Sequence, residues 1–122
     1  MTGRTLRPAS SLKQIYCYRN PVDFRKSYRG LSAIIEQELG HNPFSGELYV
    51  FINRQHKKLK ALFWEDNGFV LYYKALAEEK FRWPRSDQDT LSITGQQMNW
   101  LLDGYDLNQM TPHKKLHYSA VC

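Results

Sequence analysis

The densest positive charge in the sequence lies between two apolar runs near its middle. Four cations and one histidine fall within seven residues that contain no acid: Arg54, His56, Lys57, Lys58 and Lys60. These residues fall on a predicted hairpin tip, and a protruding cationic hairpin can follow the phosphates of a nucleic acid or enter a groove. Arg25, Lys26 and Arg29 add a second positive group on the polar side of a predicted helix. The same charges could instead keep a small domain soluble and protect edge strands from pairing, and the sequence leaves both interpretations open.

Aromatic side chains are the second group that could bind a ligand, because their rings can stack on bases. They make up 14% of the chain and recur in the apolar runs between residues 47 and 83. These runs carry apolar residues in both phases of a strand. Burial on both faces of a sheet, or in a dimer, therefore explains the rings as well as base stacking does. We expect most of them to lie in the core.

The sequence contains no recognisable catalytic or metal-binding motif. Glu36 and Glu38 are two residues apart and would not share a helix face, and no nucleophile elbow, phosphate-binding glycine loop or histidine-carboxylate set is visible. His113, His117 and Cys122 outline three ligands in a polar tail, whereas a structural zinc site needs four. We expect no catalytic residue, no metal, no other cofactor and no small-molecule ligand.

Composition limits the protein to a few classes. The 122 residues suffice for one domain, and 17 Lys and Arg against 12 Asp and Glu give a net charge of +5, which favours a polyanionic partner. Cys17 and Cys122 are too few and too far apart for a disulfide framework. The sequence shows neither an apolar leader nor an apolar run of membrane-spanning length. We expect a cytoplasmic protein that does not bind membranes.

The first elements that position these side chains follow from the apolar pattern. Residues 15–18 are rich in strand formers. Asn20 and Pro21 then predict the start of a helix, with Asn as its cap and Pro in its first turn. Apolar residues recur every three or four positions as far as Leu39, and Gly40 predicts the end of the helix.

The central third of the chain has the pattern of strands. Residues 47–53, 58–65 and 69–74 are strand-length apolar runs separated by two short, turn-forming connections. Because a parallel crossover needs a dozen or more residues, these three strands should be antiparallel. Shorter strands are indicated at residues 81–83, which Pro84 must end, and at residues 91–93. Thr94 with Gln97 is typical of a capping box and predicts a second helix, which ends before Gly104.

Together these elements predict an α+β fold. We expect an antiparallel β meander of about five or six strands, packed with an N-terminal helix and a C-terminal helix. The single domain should span residues 13–107. Residues 1–12 read as a flexible basic arm and residues 108–122 as a flexible polar tail, since neither shows apolar periodicity.

Several stretches together resemble one family. They are Asp23-Phe24-Arg25-Lys26, Gly30-Leu31, Pro43-Phe44-Ser45-Gly46, Leu48-Tyr49-Val50-Phe51, Asn53-Arg54, residues 58–64, residues 68–74, Phe81-Arg82-Trp83-Pro84, and the series Thr94, Gln97, Leu101, Leu102 and Gly104. From about residue 15 to residue 106, their order and spacing are similar to those of the small TnpB-type accessory proteins encoded in bacterial insertion sequences of family sixty-six. The resemblance implies a protein made beside a much larger transposase and needed for efficient movement of the element. It does not imply catalysis.

The leading hypothesis is a non-enzymatic accessory protein for transposition, with the transposase of the same element and the DNA of the element ends as partners. The residues expected to meet phosphate are Arg25, Lys26, Arg54, Lys57, Lys58 and Lys60. In the alternative, a pure protein adaptor, four aromatic residues dock the transposase: Phe44, Trp64, Tyr72 and Trp83. A third hypothesis, a small RNA-cleaving enzyme of the toxin type, rests on analogy of fold alone.

Overall fold

The computed structural model describes residues 14–109, and within them five strands form one sheet. The strands are β1 (Ile15–Tyr18), β2 (Leu48–Ile52), β3 (Lys58–Glu65), β4 (Gly68–Ala75) and β5 (Thr90–Ile93), arranged in the order β4-β3-β2-β1-β5. Two helices accompany them, α1 (Tyr28–Ala33), which continues as a π-helical turn over Ile34–Glu38, and α2 (Gly95–Leu102). A short 3₁₀ turn covers Leu107–Gln109. The predicted α+β class is confirmed.

The central meander forms as predicted. Strand β3 pairs antiparallel with both β2 and β4, and its register places Leu62 opposite Tyr49 and Trp64 opposite Phe69. The β3–β4 connection is a two-residue turn, in which Asp66 takes a positive φ of 52°. This is the conformation for which Asp and Asn are favoured over most side chains.

The meander does not extend to the whole sheet, which corrects the prediction for β1. Strand β1 pairs parallel with β2, with Ile15 opposite Leu48, and antiparallel with β5, with Ile15 opposite Ile93. The chain between β1 and β2 contains α1 and is long enough for a crossover, so the second strand returns beside the first in the same direction. The sheet is therefore mostly antiparallel, with one parallel pair among the described strands.

The first helix begins later than predicted. The cap is Ser27, whose side chain accepts from the backbone N–H of Arg29, and the helix starts at Tyr28 rather than at Pro21. The N–H of Val22 donates instead to the carbonyl of Ile52 at 2.9 Å, which ties the segment after β1 to the end of β2. This bond to the sheet prevails over the local signal of the Asn-Pro pair. The end is as predicted, with Gly40 at a φ of 69°.

The strand predicted at residues 81–83 is absent from the described sheet. Phe81 is buried against the core, and its backbone N–H donates to the carbonyl of His56 at 2.7 Å. The indole N–H of Trp83 donates to the carbonyl of Tyr18 at 3.1 Å. One hydrogen bond therefore holds this segment to the turn between β2 and β3, and another holds it to the end of β1. The strand predicted at 91–93 is confirmed as β5.

Both faces of the sheet are covered, which explains why the strands are apolar in both phases. On one face, Leu31 and Ile35 of the first helical segment pack with Tyr49, Phe51 and Leu62 of the sheet. On the other face, α2 contributes Met98, Leu101 and Leu102, which pack with alternate strand residues such as Val50 and Leu59. Burial on both faces was one of the explanations that the pattern allowed.

Helix α2 begins as predicted, with a complete capping box. Thr94 Oγ1 accepts from the N–H of Gln97 at 3.1 Å, and Gln97 Oε1 accepts from the N–H of Thr94 at 2.8 Å. The helices of residues 14–109 include none that is long and apolar enough to cross a membrane. The predicted flexible arms, residues 1–12 and 108–122, lie outside the described residues except for Asn108 and Gln109.

Candidate nucleic-acid interface

Two chain segments that are distant in sequence meet to form a cleft of about 490 Å³. One segment precedes α1 and the other is the turn between β2 and β3. The cleft is lined by Pro21, Val22, Asp23, Phe24, Arg25, Asn53, Arg54, Gln55, Lys58 and Tyr73. Among these residues are three cations and one carboxylate, and we call this site the basic cleft. It joins the two positive groups that the sequence shows separately.

The turn between β2 and β3 is organised by the side chain of Asn53. Its Oδ1 atom accepts from the backbone N–H groups of Lys57 and Lys58, each at 3.0 Å, and its Nδ2 donates to Gln55 Oε1 at 3.0 Å. The turn also requires a positive φ of 63° at His56, whose N–H donates to the carbonyl of Asn53. The backbone that carries Arg54 and Lys58 is therefore held in one conformation.

The turn is packed rather than protruding, which corrects the picture of a projecting cationic hairpin. The N–H of Leu76 donates to the carbonyl of Lys57 at 2.8 Å, and the N–H of Phe81 donates to that of His56. The chain that follows β4 thus holds the turn from one side. Arg54 and Lys58, on the other side of the turn, line the basic cleft.

Lys60 does not line the basic cleft and instead forms hydrogen bonds within the fold. Its side chain is directed to the face of the sheet that carries α1, and the residue is only 7% exposed. The ammonium group donates to the carbonyls of Phe24 and Lys26, each at 3.0 Å, and lies 4.9 Å from the ring centre of Phe24. Burial, and after it the charge of Lys58, lowers the pKa of Lys60. The residue fixes the segment before α1 against the sheet.

Arg25 reaches the cleft already paired with a carboxylate. Its guanidinium donates to Asp23 Oδ2 at 2.6 Å and 3.0 Å, and Asp23 Oδ1 accepts from the backbone N–H of Arg25 at 2.9 Å. The bonds from Arg25 hold the pKa of Asp23 at about 2. Arg54 and Lys58 are exposed, and neither forms an ion pair with another residue of the described part.

The six cations predicted to meet phosphate therefore divide into three groups. Arg25, Arg54 and Lys58 line the basic cleft. Lys26 and Lys57 stand beside it in sequence and do not line it. Lys60 is buried and engaged with two carbonyls, so we leave it out of the proposed interface.

One wall of the basic cleft is aromatic, and its residues are not among those predicted from the sequence to bind a ligand. Tyr73 in β4 lies directly opposite Lys60 in β3, and its ring centre is 5.5 Å from the Lys60 ammonium. The ring of Phe24 meets that of Tyr73 edge-on at 6.1 Å between centres. Period-two alternation in β3 and β4 was the signal that could have placed Tyr73 beside the cations, because Lys58 and Lys60 share its face.

The four aromatic residues predicted to dock a partner lie on opposite faces of the sheet. Phe44 and Trp64 touch, with ring centres 5.0 Å apart, on the face that carries α1. With Phe69 and Tyr28 they form a continuous series of rings, which we call the aromatic strip. Tyr72 and Trp83 are half-buried against the core of the other face. The structure therefore brings Phe44 and Trp64 together and places Tyr72 and Trp83 on the opposite face.

A hydrogen-bonded side-chain cluster away from the cleft joins His41, Tyr49 and Glu47. His41 Nδ1 lies 2.7 Å from the Tyr49 hydroxyl, which donates to Glu47 Oε1 at 3.3 Å. Tyr49 is only 1% exposed and is covered by the stacked ring of Tyr16. Burial raises the pKa of Tyr49. This hydroxyl is therefore a structural link between the loop after α1 and the sheet.

Two further features concern the reactive and metal-binding side chains. Burial raises the pKa of the Cys17 thiol, so the thiol stays protonated at neutral pH. Residues 14–109 contain no cluster of three or more His, Cys, Asp or Glu side chains that could hold a metal ion. His113, His117 and Cys122 lie outside the described residues.

Comparison with known proteins gives a consistent result over nearly the same range. A family model described as IS66 Orf2 like protein matches residues 13–112. The uncharacterized protein y4jC of Sinorhizobium fredii is 30% identical over 86 residues, which are 70% of this chain and 74% of the relative. The uncharacterized protein y4hO of the same organism is 27% identical over 99 residues, or 81% and 86% of the two chains. No solved structure matches this chain.

Proposed function

Because the chain belongs to the IS66 Orf2-like family, we propose that it is a non-enzymatic accessory protein for transposition that contacts the DNA of the element ends through the basic cleft. Family membership supports the accessory role in an insertion sequence. The contact with DNA, the association with the transposase and a cytoplasmic site of action are our proposals. The resemblance recognised from the sequence is confirmed by the family match over residues 13–112.

The observation that carries the DNA contact is the convergence of Arg25, Arg54 and Lys58 on one concave surface. Exposed cations scattered over a surface are what solubility alone requires. Here the backbone of the turn is fixed by Asn53, and the opposite wall is fixed by Lys60. Because the backbone on both walls is already held, only the cationic side chains need to be ordered when they contact phosphate.

A protein adaptor remains the second candidate, and the aromatic strip favours it. Phe44 is 55% exposed, although it packs against Trp64 and Phe69. Exposed aromatic residues are enriched where proteins bind one another. The strip could therefore dock the transposase while the cleft holds DNA, or it could act alone. The hypothesis of a small RNA-cleaving enzyme gains no support from Tyr49, because this tyrosine is buried and a substrate could not reach its hydroxyl.

A gel-shift experiment with element-end DNA, with and without transposase, tests the proposal. We expect the purified protein to shift the DNA, and we expect Arg54→Gln with Lys58→Gln to abolish most of the shift. The matched control is Lys80→Gln with Arg82→Gln, which removes the same charge from two exposed residues outside the cleft. The control should shift DNA as the unsubstituted protein does.

The adaptor hypothesis predicts a different pattern in the same experiment. DNA would be shifted only when transposase is present, the cleft variant would behave as the control, and Phe44→Ala would weaken the ternary complex. That pattern would replace direct DNA contact with docking through the aromatic strip.

A further inference from the structure

The basic cleft combines charge with an exposed aromatic wall, and this combination selects among nucleic acids. Tyr73 is 52% exposed and lines the cleft together with Phe24, Arg54 and Lys58. The bases of a duplex already stack on one another, so such a ring has no base face to meet there. An unpaired strand presents both phosphates and free base faces, and proteins bind it with cations and aromatic rings together.

We propose that the basic cleft binds an unpaired nucleotide of single-stranded DNA, with a base stacked on Tyr73 and the adjoining phosphates on Arg54 and Lys58. The inference rests on the proposed function. The phosphate contacts of the cleft apply to a duplex as well, and stacking on Tyr73 adds a preference for an unpaired strand.

Two neighbouring side chains, Lys60 and Phe24, support the ring of Tyr73. Its strand partner is Lys60, whose ammonium lies 5.5 Å from the Tyr73 ring centre and 4.9 Å from that of Phe24. Phe24 in turn meets Tyr73 edge-on. The ring is thus supported by a buried cation and a second ring, while more than half of its surface stays open. A base that stacks on it meets a surface already in place.

The size and lining of the cleft agree with a nucleotide. Its volume of about 490 Å³ lies within the range of roughly 300 to 1,000 Å³ of small-ligand sites. Arg54 and Lys58 lie on the turn and at the start of β3, next to Tyr73 in β4. A chain that crosses the cleft therefore meets charge and ring within one site.

Binding of three labelled oligonucleotides of equal length, measured by fluorescence anisotropy, tests the proposal. They are an oligothymidylate, an abasic strand with the same phosphates, and a duplex. The unsubstituted protein should bind the oligothymidylate about 5-fold to 150-fold more tightly than the abasic strand, the range for one base on one aromatic ring. Tyr73→Leu keeps an apolar cover over Lys60 and should remove this difference, whereas Tyr73→Phe should preserve it.

Tyr105→Leu is the matched control, since Tyr105 is 55% exposed and lies outside the cleft. It should bind all three oligonucleotides as the unsubstituted protein does. An oligouridylate of the same length separates DNA from RNA as the source of the strand, and tighter binding of it would overturn the assignment to DNA. Equal affinity of the unsubstituted protein for the oligothymidylate and the abasic strand, or a preference unchanged by Tyr73→Leu, would overturn the stacking role.

The failure of this inference differs from the failure of the proposed function. If stacking is absent but Arg54→Gln with Lys58→Gln still weakens binding of every oligonucleotide, the cleft contacts phosphate alone. If Tyr73→Leu weakens binding and the double variant does not, the phosphate role of the cleft fails instead.

Discussion

Lys60 carries a positive charge into the covered face of the sheet, where it holds two backbone carbonyls rather than a phosphate. The sequence places it among three other cations, so charge density alone assigns it to the interface. Its position within β3 is the physical distinction, because Lys60 lies between Phe51 of β2 and Tyr73 of β4, whereas Lys58 is the first residue of the strand. Long cationic side chains can bury their stems in this way while the ammonium finds polar partners.

This role predicts a loss of stability for Lys60→Met. The substitution keeps an unbranched side chain but leaves the carbonyls of Phe24 and Lys26 without their donor, which should cost about 1 to 3 kcal/mol. Lys58→Met is the matched control two residues earlier on the same strand face, and as an exposed position it should change stability by no more than about 0.5 kcal/mol. Urea unfolding measures both. Equal losses for the two variants would contradict the structural role.

Asp23 is the acidic residue of the basic cleft, and its removal should tighten DNA binding. Asp23→Asn keeps an oxygen that can accept from the Arg25 N–H but releases the Arg25 guanidinium for phosphate. If Arg25 then makes one more duplex contact, the slope of log affinity against log salt should steepen by about 0.9.

The pH dependence of this gain follows from the pKa of Asp23. Because that pKa is about 2, below its ordinary value, the carboxylate stays charged in the folded protein until the pH falls towards 2. The affinity gain of Asp23→Asn should therefore be the same at pH 5 and pH 8. Unchanged affinity and salt slope, measured by titration at both pH values, would show that Arg25 plays no part.

The elements divide into those whose signals are local and those that depend on distant contacts. The β3–β4 hairpin and the capping box at Thr94 were predictable, because turn chemistry and cap spacing act within a few residues. The start of α1 was not, since the hydrogen bond from Val22 to Ile52 competes with the Asn-Pro cap signal. The strand predicted at residues 81–83 failed for the same reason, as Phe81 bonds to a turn rather than to a sheet edge.

Helix α1 is held to the sheet by Leu31, which is fully buried as the spacing predicts. Truncation by Leu31→Ala should cost about 2 to 5 kcal/mol, the usual range for removing a buried leucine side chain. Leu71→Ala in β4 provides the comparison, because Leu71 is partly exposed and should cost much less. Denaturant unfolding of the two variants compares them, and an unchanged midpoint for Leu31→Ala would show that α1 contributes little to the core.

At the scale of the whole molecule, the basic cleft depends on contacts that the sequence does not reveal. Arg25 and Arg54 are brought together because Val22 bonds to the end of β2 and Lys60 bonds to the segment before α1. Both links join residues more than 25 positions apart, whereas propensities and spacing report on near neighbours. The cationic residues themselves were predictable. Their shared site and the carboxylate of Asp23 were not, whereas period-two alternation in β3 and β4 could have placed Tyr73 on the face of Lys58 and Lys60.

The salt dependence of binding to element-end duplex DNA tests the central claim most directly. Arg54→Gln with Lys58→Gln removes two phosphate contacts, each of which contributes about 0.9 to the slope of log affinity against log salt. We therefore expect the slope to decrease by about 1.8, with an unfolding midpoint near that of the unsubstituted protein. Lys80→Gln with Arg82→Gln, which lowers the net charge equally, should leave the slope unchanged. A slope that is the same for the cleft variant, the control and the unsubstituted protein would contradict phosphate binding in the basic cleft.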